Sequence, residues 1–375
     1  MSYCFQPVFR LYSYLSNARL TTTAIILSVL TYLIVVRRLR YKNLNLIRKR
    51  YPSPDQVLVD PAAAQFIYTI TACKEFPYLF EKALELALFK TYIVPSISKL
   101  LVATKQFSQD PGRRAEDTAL LLAEVVNAFG RIDAKLSVCP DTSLSEIQRQ
   151  WDRAREALDR INEIHGRYNI SNGDYLYTLA LFIVEPVEWI NKYEWRKLDE
   201  REINAIFKVW YDVGVSMNIK DIPSNFKEMQ DFYEHYAEEN VRNASTNWAV
   251  AAPTLQYLLN GLPICIANRL LKGVIYFLPS VLHPRDAAAL NLPVENKTCT
   301  RILETSLFTR AFFIRHCMLP RQRLVLRTSF DVNQEGKNVP GYFANGVYIY
   351  KKGYRISELG PSDHSRKASG RCPFS

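Results

Sequence analysis

The sequence lacks the features that mark disulfide-rich and zinc-stabilised proteins. Its seven cysteines include no C-x-x-C pair and no zinc-like spacing to a histidine: Cys4, Cys73, Cys139, Cys265, Cys299, Cys317 and Cys372. An odd, dispersed set argues against a disulfide framework and against a structural zinc site. It predicts a chain that works in a reducing compartment.

The short motifs of the common enzyme classes are missing as well. The chain contains no GxSxG, HExxH, GxGxxG, phosphate-binding P-loop or protein-kinase motif set, and no helix with two histidines at metal-ligand spacing. Glycine is scarce, at 13 of 375 residues, and strand-like alternation of apolar and polar residues is rare. Nearly every segment instead has helical periodicity, which predicts a single all-α domain.

Positive charge is concentrated in one place. The formal net charge is +11, and seven of the basic residues fall in RRLRYKNLNLIRKR, between Arg37 and Arg50. The rest of the chain is only mildly basic, and no aromatic RNA-binding signature accompanies the cluster. We therefore interpret it as a juxtamembrane segment and expect no nucleic-acid partner.

An apolar run directly precedes this cluster. From Leu20 to Val36 the chain reads LTTTAIILSVLTYLIVV, 17 residues without a charge, which is the short end of a bilayer-spanning helix. A signal peptide is the alternative, but the run lacks a small-residue cleavage site and continues into Arg37 and Arg38. Because only Arg10 and Arg19 precede it, the positive-inside rule predicts that the main domain is cytosolic.

The predicted organisation has five segments: a short lumenal N-terminus (1–19), a single transmembrane helix (20–36), a basic juxtamembrane linker (37–60), the all-α domain (61–330) and a polar, partly ordered tail (331–375). The sequons at Asn169, Asn243 and Asn296 would be glycosylated only if the orientation were reversed. The apolar stretch 253–279 could touch the membrane surface, although ordinary burial is the preferred interpretation.

The best-marked helix begins at Ser143, which forms an S-x-x-E capping box with Glu146. Behind the cap, one helix face is apolar and ends in a histidine: Leu144, Ile147, Trp151, Ala154, Leu158, Ile161 and His165. A second cap at Ser171 opens a helix that is apolar all round and that Pro186 should kink or end. The periodicity predicts that His165 faces the core.

His165 has two interpretations at this stage. A lone histidine on an apolar helix face is most often a packed core residue. The alternative is an axial ligand, because a neutral imidazole projecting from a helix into an apolar cavity is what haem iron needs. Arg131 and Lys135 lie on an earlier helical segment, where they could pair with Asp133 or other neighbours, or with haem propionates.

The order of several segments adds a resemblance. RIDAKL (131–136) is followed by IHGRY, which places His165 34 residues after Arg131, and then by SNGDYLYTLALFIVEPVEWI. With EFPYLFEKALELALFKTY, VPSISKLL, YEWRKL and the late LGP, the chain resembles the rubber oxygenase (latex clearing protein) family. It is most similar to the fungal, endoplasmic-reticulum-bound MpaB-type branch, from about residue 63 to 361.

The resemblance implies an all-α catalytic domain that binds one haem b. It implies that His165 is the axial ligand of the iron, and that Arg131 lies on the distal side as a catalytic and cofactor-binding residue. Lys135 stands where the family usually has a threonine, so a cation replaces a hydroxyl donor at the second position expected to be catalytic.

The implied reaction is the cleavage of a C=C bond in an isoprenoid chain by O2. The expected substrate is a lipophilic prenylated or terpenoid secondary metabolite, met at the endoplasmic reticulum membrane beside other pathway enzymes. Two alternatives stay open. The haem could support hydroxylation or rearrangement instead, or the chain could be a non-catalytic, membrane-anchored binding protein.

Overall fold

A computed structural model describes residues 6–257, 273–343 and 348–361, with the backbone alone at 6–20 and at 257. The first eight helices are α1 (Gln6–Arg40), α2 (Lys42–Arg50), α3 (Gln56–Val59), α4 (Pro61–Ile70), α5 (Pro77–Lys90), α6 (Pro95–Ala103), α7 (Gln106–Gln109) and α8 (Pro111–Val126). The next eight are α9 (Ala128–Leu136), α10 (Leu144–His165), α11 (Asn172–Tyr193), α12 (Glu200–Ser216), α13 (Phe226–Asn240), α14 (Ser245–Tyr257), α15 (Pro284–Ala289) and α16 (Lys297–Cys317).

The only sheet in the described ranges is a hairpin of β1 (Thr328–Val332) and β2 (Asn338–Pro340). Short π or 3-10 turns occur at Thr71–Glu75, Thr91–Ile93, Leu278–Ser280 and Ile356–Glu358. The all-α prediction is therefore confirmed. Most of the apolar stretch 253–279 lies outside the described residues.

Helix α1 carries the predicted span. It exposes a band of large apolar side chains, among them Ile25, Leu27 and Ile34, and one helix in the described part of the chain is long and apolar enough to cross a membrane. Helix continues through most of the region predicted to be a linker. There, Leu44 and Ile47 of α2 are buried, and Ile47 belongs to the main hydrophobic core.

Helix α11 forms the centre of the core. Fourteen of its residues are buried, and it packs against α5, α12 and α13, as expected for a helix that is apolar all round. The predicted cap at Ser171 is confirmed, since its side chain accepts the Asp174 amide. Of the two outcomes predicted for Pro186, a kink or an end of the helix, the end was wrong, because α11 continues to Tyr193.

Helix α10 begins as predicted, with the complete Ser143–Glu146 capping box. The apolar stripe assigned to its buried face is only partly correct, because Leu144 is 83% exposed and Trp151 is 37% exposed. The buried face of the first half is instead polar, with Gln150 and Arg153 facing a network of buried charges. Towards the end of the helix, Ile161 of the predicted face is buried, and Ile164 is buried beside the partly buried His165.

Candidate active site

A cavity of about 930 Å³ lies beside the C-terminal end of α10. Its walls come mainly from α5, α6, α8, α11 and α12, and most of the lining is apolar: Phe80, Leu88, Leu100, Leu122, Phe182 and Trp210. Protein ligand pockets commonly have volumes of about 300–1,000 Å³ and apolar walls with a few polar groups. The cavity can therefore hold a large, mainly apolar ligand.

His165 reaches this cavity from the last residue of α10. Its ring packs edge-on against Tyr175, with ring centroids 5.8 Å apart, and its buried Nδ1 has no hydrogen-bond partner among the described residues. Burial, with a smaller effect of the Arg114 charge, lowers the pKa of His165 from 6.5 to about 4. The imidazole is therefore neutral near pH 7 and has a lone pair available for a metal.

Two guanidinium groups also line the cavity. Arg327 is ion-paired with Glu116 and donates to the backbone carbonyl of Tyr342. Arg114 donates to the Thr118 hydroxyl, and among the described residues no carboxylate lies within ion-pairing distance of it. Arg114 is thus the cavity cation with more capacity to bind an anionic group.

Arg131 lies in a different place from His165. Its side chain is fully buried and donates to Gln150 Oε1 at 2.8 Å and to Thr328 Oγ1 at 2.7 Å. It is also ion-paired with Glu124 at 3.0 Å, and burial lowers its pKa to about 10. Arg131 is not among the described residues that line the cavity. Arg131 therefore contacts buried polar groups of the protein itself, namely Gln150, Thr328 and Glu124.

Lys135 lies one turn further along α9, at the surface. Its Nζ is 2.9 Å from Asp331 Oδ1, and the ammonium lies 5.2 Å from the centre of the Phe330 ring. It too is absent from the described cavity lining. Of the three predicted site residues, the structure thus brings only His165 to the cavity, and it ties both cations to the β1 strand.

The C-terminal segment closes the cavity next to α10. Leu359 is buried and its carbonyl accepts from Arg160 Nε at 3.0 Å, while Gly360 and Pro361 line the cavity. Gly360 has a φ of +98°, and a Cβ there would lie 2.5 Å from Cδ1 of Ile164, the residue before His165. Part of the region predicted to be a polar, partly ordered tail is therefore a wall of this site.

Comparison with known proteins identifies the family to which the chain belongs. Residues 86–312, more than half of the chain, match the family model described as "ER-bound oxygenase mpaB/B'/Rubber oxygenase, catalytic domain". The chain belongs to this family. The resemblance inferred from RIDAKL and IHGRY is thereby confirmed, and the family makes the chain an oxygenase, hence an oxidoreductase.

Two relatives match this chain over a larger share of its length than the family model does. The oxygenase is 27% identical over 416 aligned positions to ER-bound oxygenase mpaB' of Penicillium brevicompactum, covering 92% of each chain. It is 31% identical over 268 positions to ER-bound oxygenase mpaB of Penicillium roqueforti (strain FM164), covering 68% of this chain and 81% of that one.

Sequence reasoning about the oxygenase missed Arg114 and the Asp174 cluster. Asp174 lines the cavity and accepts hydrogen bonds from Ser96 Oγ at 2.7 Å and from the Tyr236 hydroxyl at 2.9 Å. Ser96, Asp174 and Tyr236 come from distant parts of the chain, so no local sequence motif predicts that they lie together. The sequence could have indicated Arg114, because this residue precedes the apolar face of α8 by one to two helical turns.

We expect Gly360→Ala to lower the free energy of unfolding of the oxygenase by about 2–4 kcal/mol, since left-handed strain and the clash with Ile164 add. Gly336→Ala is the matched control, because Gly336 has a φ of +70° with nothing within 4 Å of its Cβ position. That control should cost only the backbone strain, about 1–2 kcal/mol. Thermal unfolding measures both, and equal losses would argue against tight docking of the C-terminal segment.

Proposed function

We propose that the chain is a haem b-dependent oxygenase in which His165 is the axial ligand of the iron. The observation that carries the proposal is a neutral imidazole at the wall of a large apolar cavity, whose buried Nδ1 has no hydrogen-bond partner in the part of the chain that the structure describes. A buried polar atom without a partner calls for an explanation. Coordination of a metal would supply one.

The other residues of the site fit the same group. The cavity is large and apolar enough for a macrocycle, and haem carries two propionates that need cations. Arg114, which has no carboxylate partner among the described residues, is our first candidate for a propionate, and Arg327 is the second. When bound, haem supplies the iron chemistry that activates O2.

We propose that Arg131 acts as a positioning residue for His165. It contacts Gln150 directly, and through Glu124 it is linked to Arg153, so two residues of α10 are fixed by the same buried network. This network holds the helix that ends at His165. Lys135, through Asp331, would hold α9 against β1. A direct catalytic role of either cation stays a prediction.

The walls of the cavity suit a lipophilic substrate. Aliphatic and aromatic side chains bind an isoprenoid chain by burying its surface, at about 25 cal/mol per Å² of apolar area, and they exclude water from the reacting bond. We propose cleavage of a C=C bond in a prenylated or terpenoid secondary metabolite. The Asp174 cluster offers a polar group to orient the head of such a substrate.

Oxygen consumption tests the proposed reaction. We expect the purified, haem-loaded chain to consume O2 with a prenylated aromatic or terpenoid substrate and to give two carbonyl fragments that each carry one atom from 18O2. A product with an unbroken chain and one added oxygen would replace cleavage by hydroxylation, and an isomer would indicate rearrangement. Normal haem loading without O2 uptake across such substrates would support a binding protein instead.

We further propose that α1 spans the endoplasmic reticulum membrane once and leaves the catalytic domain in the cytosol. The relatives are named ER-bound, and the basic residues from Arg37 to Arg50 follow the apolar run. Anchoring places the enzyme where a lipophilic substrate is concentrated, and other enzymes of the pathway at this membrane are candidate partners.

The three sequons test this orientation. Asn169, Asn243 and Asn296 all lie at exposed positions, so a lumenal domain would offer them to the glycosylation machinery. We expect the chain from a eukaryotic host to migrate identically on a gel before and after glycosidase treatment. A mobility shift that disappears in the Asn169→Gln, Asn243→Gln or Asn296→Gln chain would contradict the cytosolic orientation.

A further inference from the structure

Helix α16 and the residues after it carry an exposed apolar surface. We call it the α16 apolar face; its residues are between 48% and 59% exposed: Ile302, Phe308, Phe312, Phe313, Met318 and Leu319. Single exposed apolar side chains are normal, but several large ones on one helix and its extension mark a binding surface. The proposed oxygenase reaction does not use these side chains, since none of them lines the cavity in the described ranges.

The end of this surface is fixed to the anchor helix. The Tyr32 hydroxyl of α1 donates to the carbonyl of Cys317, the last residue of α16, at 2.9 Å. Arg40 of α1 donates to the carbonyls of Met318 and Leu319 at 2.9 and 3.0 Å. Because Tyr32 belongs to the apolar run 20–36, the end of α16 lies alongside the last turns of the proposed span.

The exposed charged residues on α16 and at the end of the apolar run of α1 are basic. Arg301 and Arg315 of α16 are exposed, as are Arg37 and Arg38 at the end of the apolar run of α1. The single acidic residue of α16, Glu304, faces Lys192 of α11 at 3.3 Å. Exposed aromatic side chains beside exposed basic ones are typical of helices that lie in the interface of a membrane with anionic headgroups.

We propose that the α16 apolar face inserts into the surface of the lipid bilayer beside α1, as a second membrane contact of this chain. The inference rests on the proposed anchor, because the continuity of the two surfaces identifies the bilayer as the occupant. From Leu319 the chain runs directly to Val325 and Arg327 in the cavity wall. The contact therefore holds that wall of the cavity at the membrane, where a lipophilic substrate is dissolved.

Photo-cross-linking of the full-length chain tests the contact. Phe312 and Phe313 are replaced, one at a time, by p-benzoylphenylalanine, and the protein is reconstituted into vesicles of phosphatidylcholine and phosphatidylserine. The matched control position is Leu144, which is also apolar and exposed but belongs to α10, a helix packed on α8 and α9. Mass spectrometry then identifies what each photoreactive side chain has captured.

We expect at least about tenfold more lipid adduct at Phe312 and Phe313 than at Leu144, because an inserted side chain is surrounded by acyl chains. Adducts with a second copy, with another protein or with a different segment of the same chain would overturn the proposal. So would lipid labelling that is equal at all three positions or absent from all of them. The haem content of each preparation is measured separately, so failure of the haem assignment is distinguishable from failure of the membrane contact.

Discussion

The His165→Ala chain should lose nearly all of its haem. Loss of a residue that merely supports a metal ligand already costs about 10–100-fold in metal affinity, and His165 is proposed to be the ligand itself. Its neutral imidazole, whose pKa burial lowers to about 4, is the donor that iron requires. Alanine provides no donor at the cavity wall.

The fold of this variant should survive. The side chain of His165 packs on Tyr175, and its buried Nδ1 has no partner within the described ranges. Alanine therefore removes a contact but also a buried polar atom. We expect the free energy of unfolding of the haem-free chain to change by about 1–2 kcal/mol or less. Circular dichroism and thermal unfolding measure this independently of haem content.

His235→Ala is the matched control. His235 is a largely exposed histidine of α13 that faces Glu239 on the next turn, and its loss should change neither haem content nor folding. Addition of imidazole should partly restore haem to the His165→Ala chain, because the free ligand can occupy the space left by the side chain. Full haem retention in His165→Ala would contradict the ligand assignment.

The Glu124→Gln chain should be strongly destabilised, by about 3–5 kcal/mol, as is usual when one partner is removed from a buried ion pair. Glu124 is completely buried and is the shared counter-charge of Arg131, at 3.0 Å, and Arg153, at 2.5 Å. The Tyr354 hydroxyl donates to the same carboxylate at 2.6 Å. Glutamine keeps the shape of the side chain but leaves two buried cations without a negative charge.

The exposed pair Lys227–Asp231, whose charged atoms lie 2.6 Å apart, provides the comparison. Because water screens both charges, Asp231→Asn should cost about 1 kcal/mol at most. A Glu124→Gln/Arg153→Gln double variant should recover part of the lost stability, since it removes one of the two unpaired cations. Thermal unfolding of the four proteins, including the wild type, gives the comparison.

The same variants test the positioning role of Arg131. If the buried network fixes α10, Glu124→Gln should also weaken haem binding below its unfolding temperature, although Glu124 is not a described cavity residue. Unchanged haem affinity in a destabilised protein would restrict the network, and Arg131 with it, to a purely structural role.

Local rules predicted the elements that carry the site. The capping box at Ser143 and the cap at Ser171 place the two helices around His165, because capping depends on residues only three apart. The orientation of the first half of α10 was not predictable in this way. Its buried face is set by Glu124 and by the carbonyls of β1, which are distant in the sequence.

The contrast between local sequence rules and contacts distant in the sequence also applies to His165 and the two predicted cations. The periodicity of one helix predicted that His165 faces inward, and the structure places it at the cavity wall. Arg131 and Lys135 were assigned to the distal side by resemblance, yet their contacts in this chain are with Glu124 and Asp331. Asp331 belongs to a strand of the segment predicted to be a tail, so helical periodicity could not reveal this pairing.

The visible absorption spectrum of the purified full-length chain, with a pyridine haemochromogen assay, tests the central claim most directly. We predict a red protein with a Soret band and about one haem b per chain, as expected for a single axial histidine. A correctly folded but colourless protein, when produced in cells supplied with a haem precursor, would contradict the proposal that His165 holds haem iron.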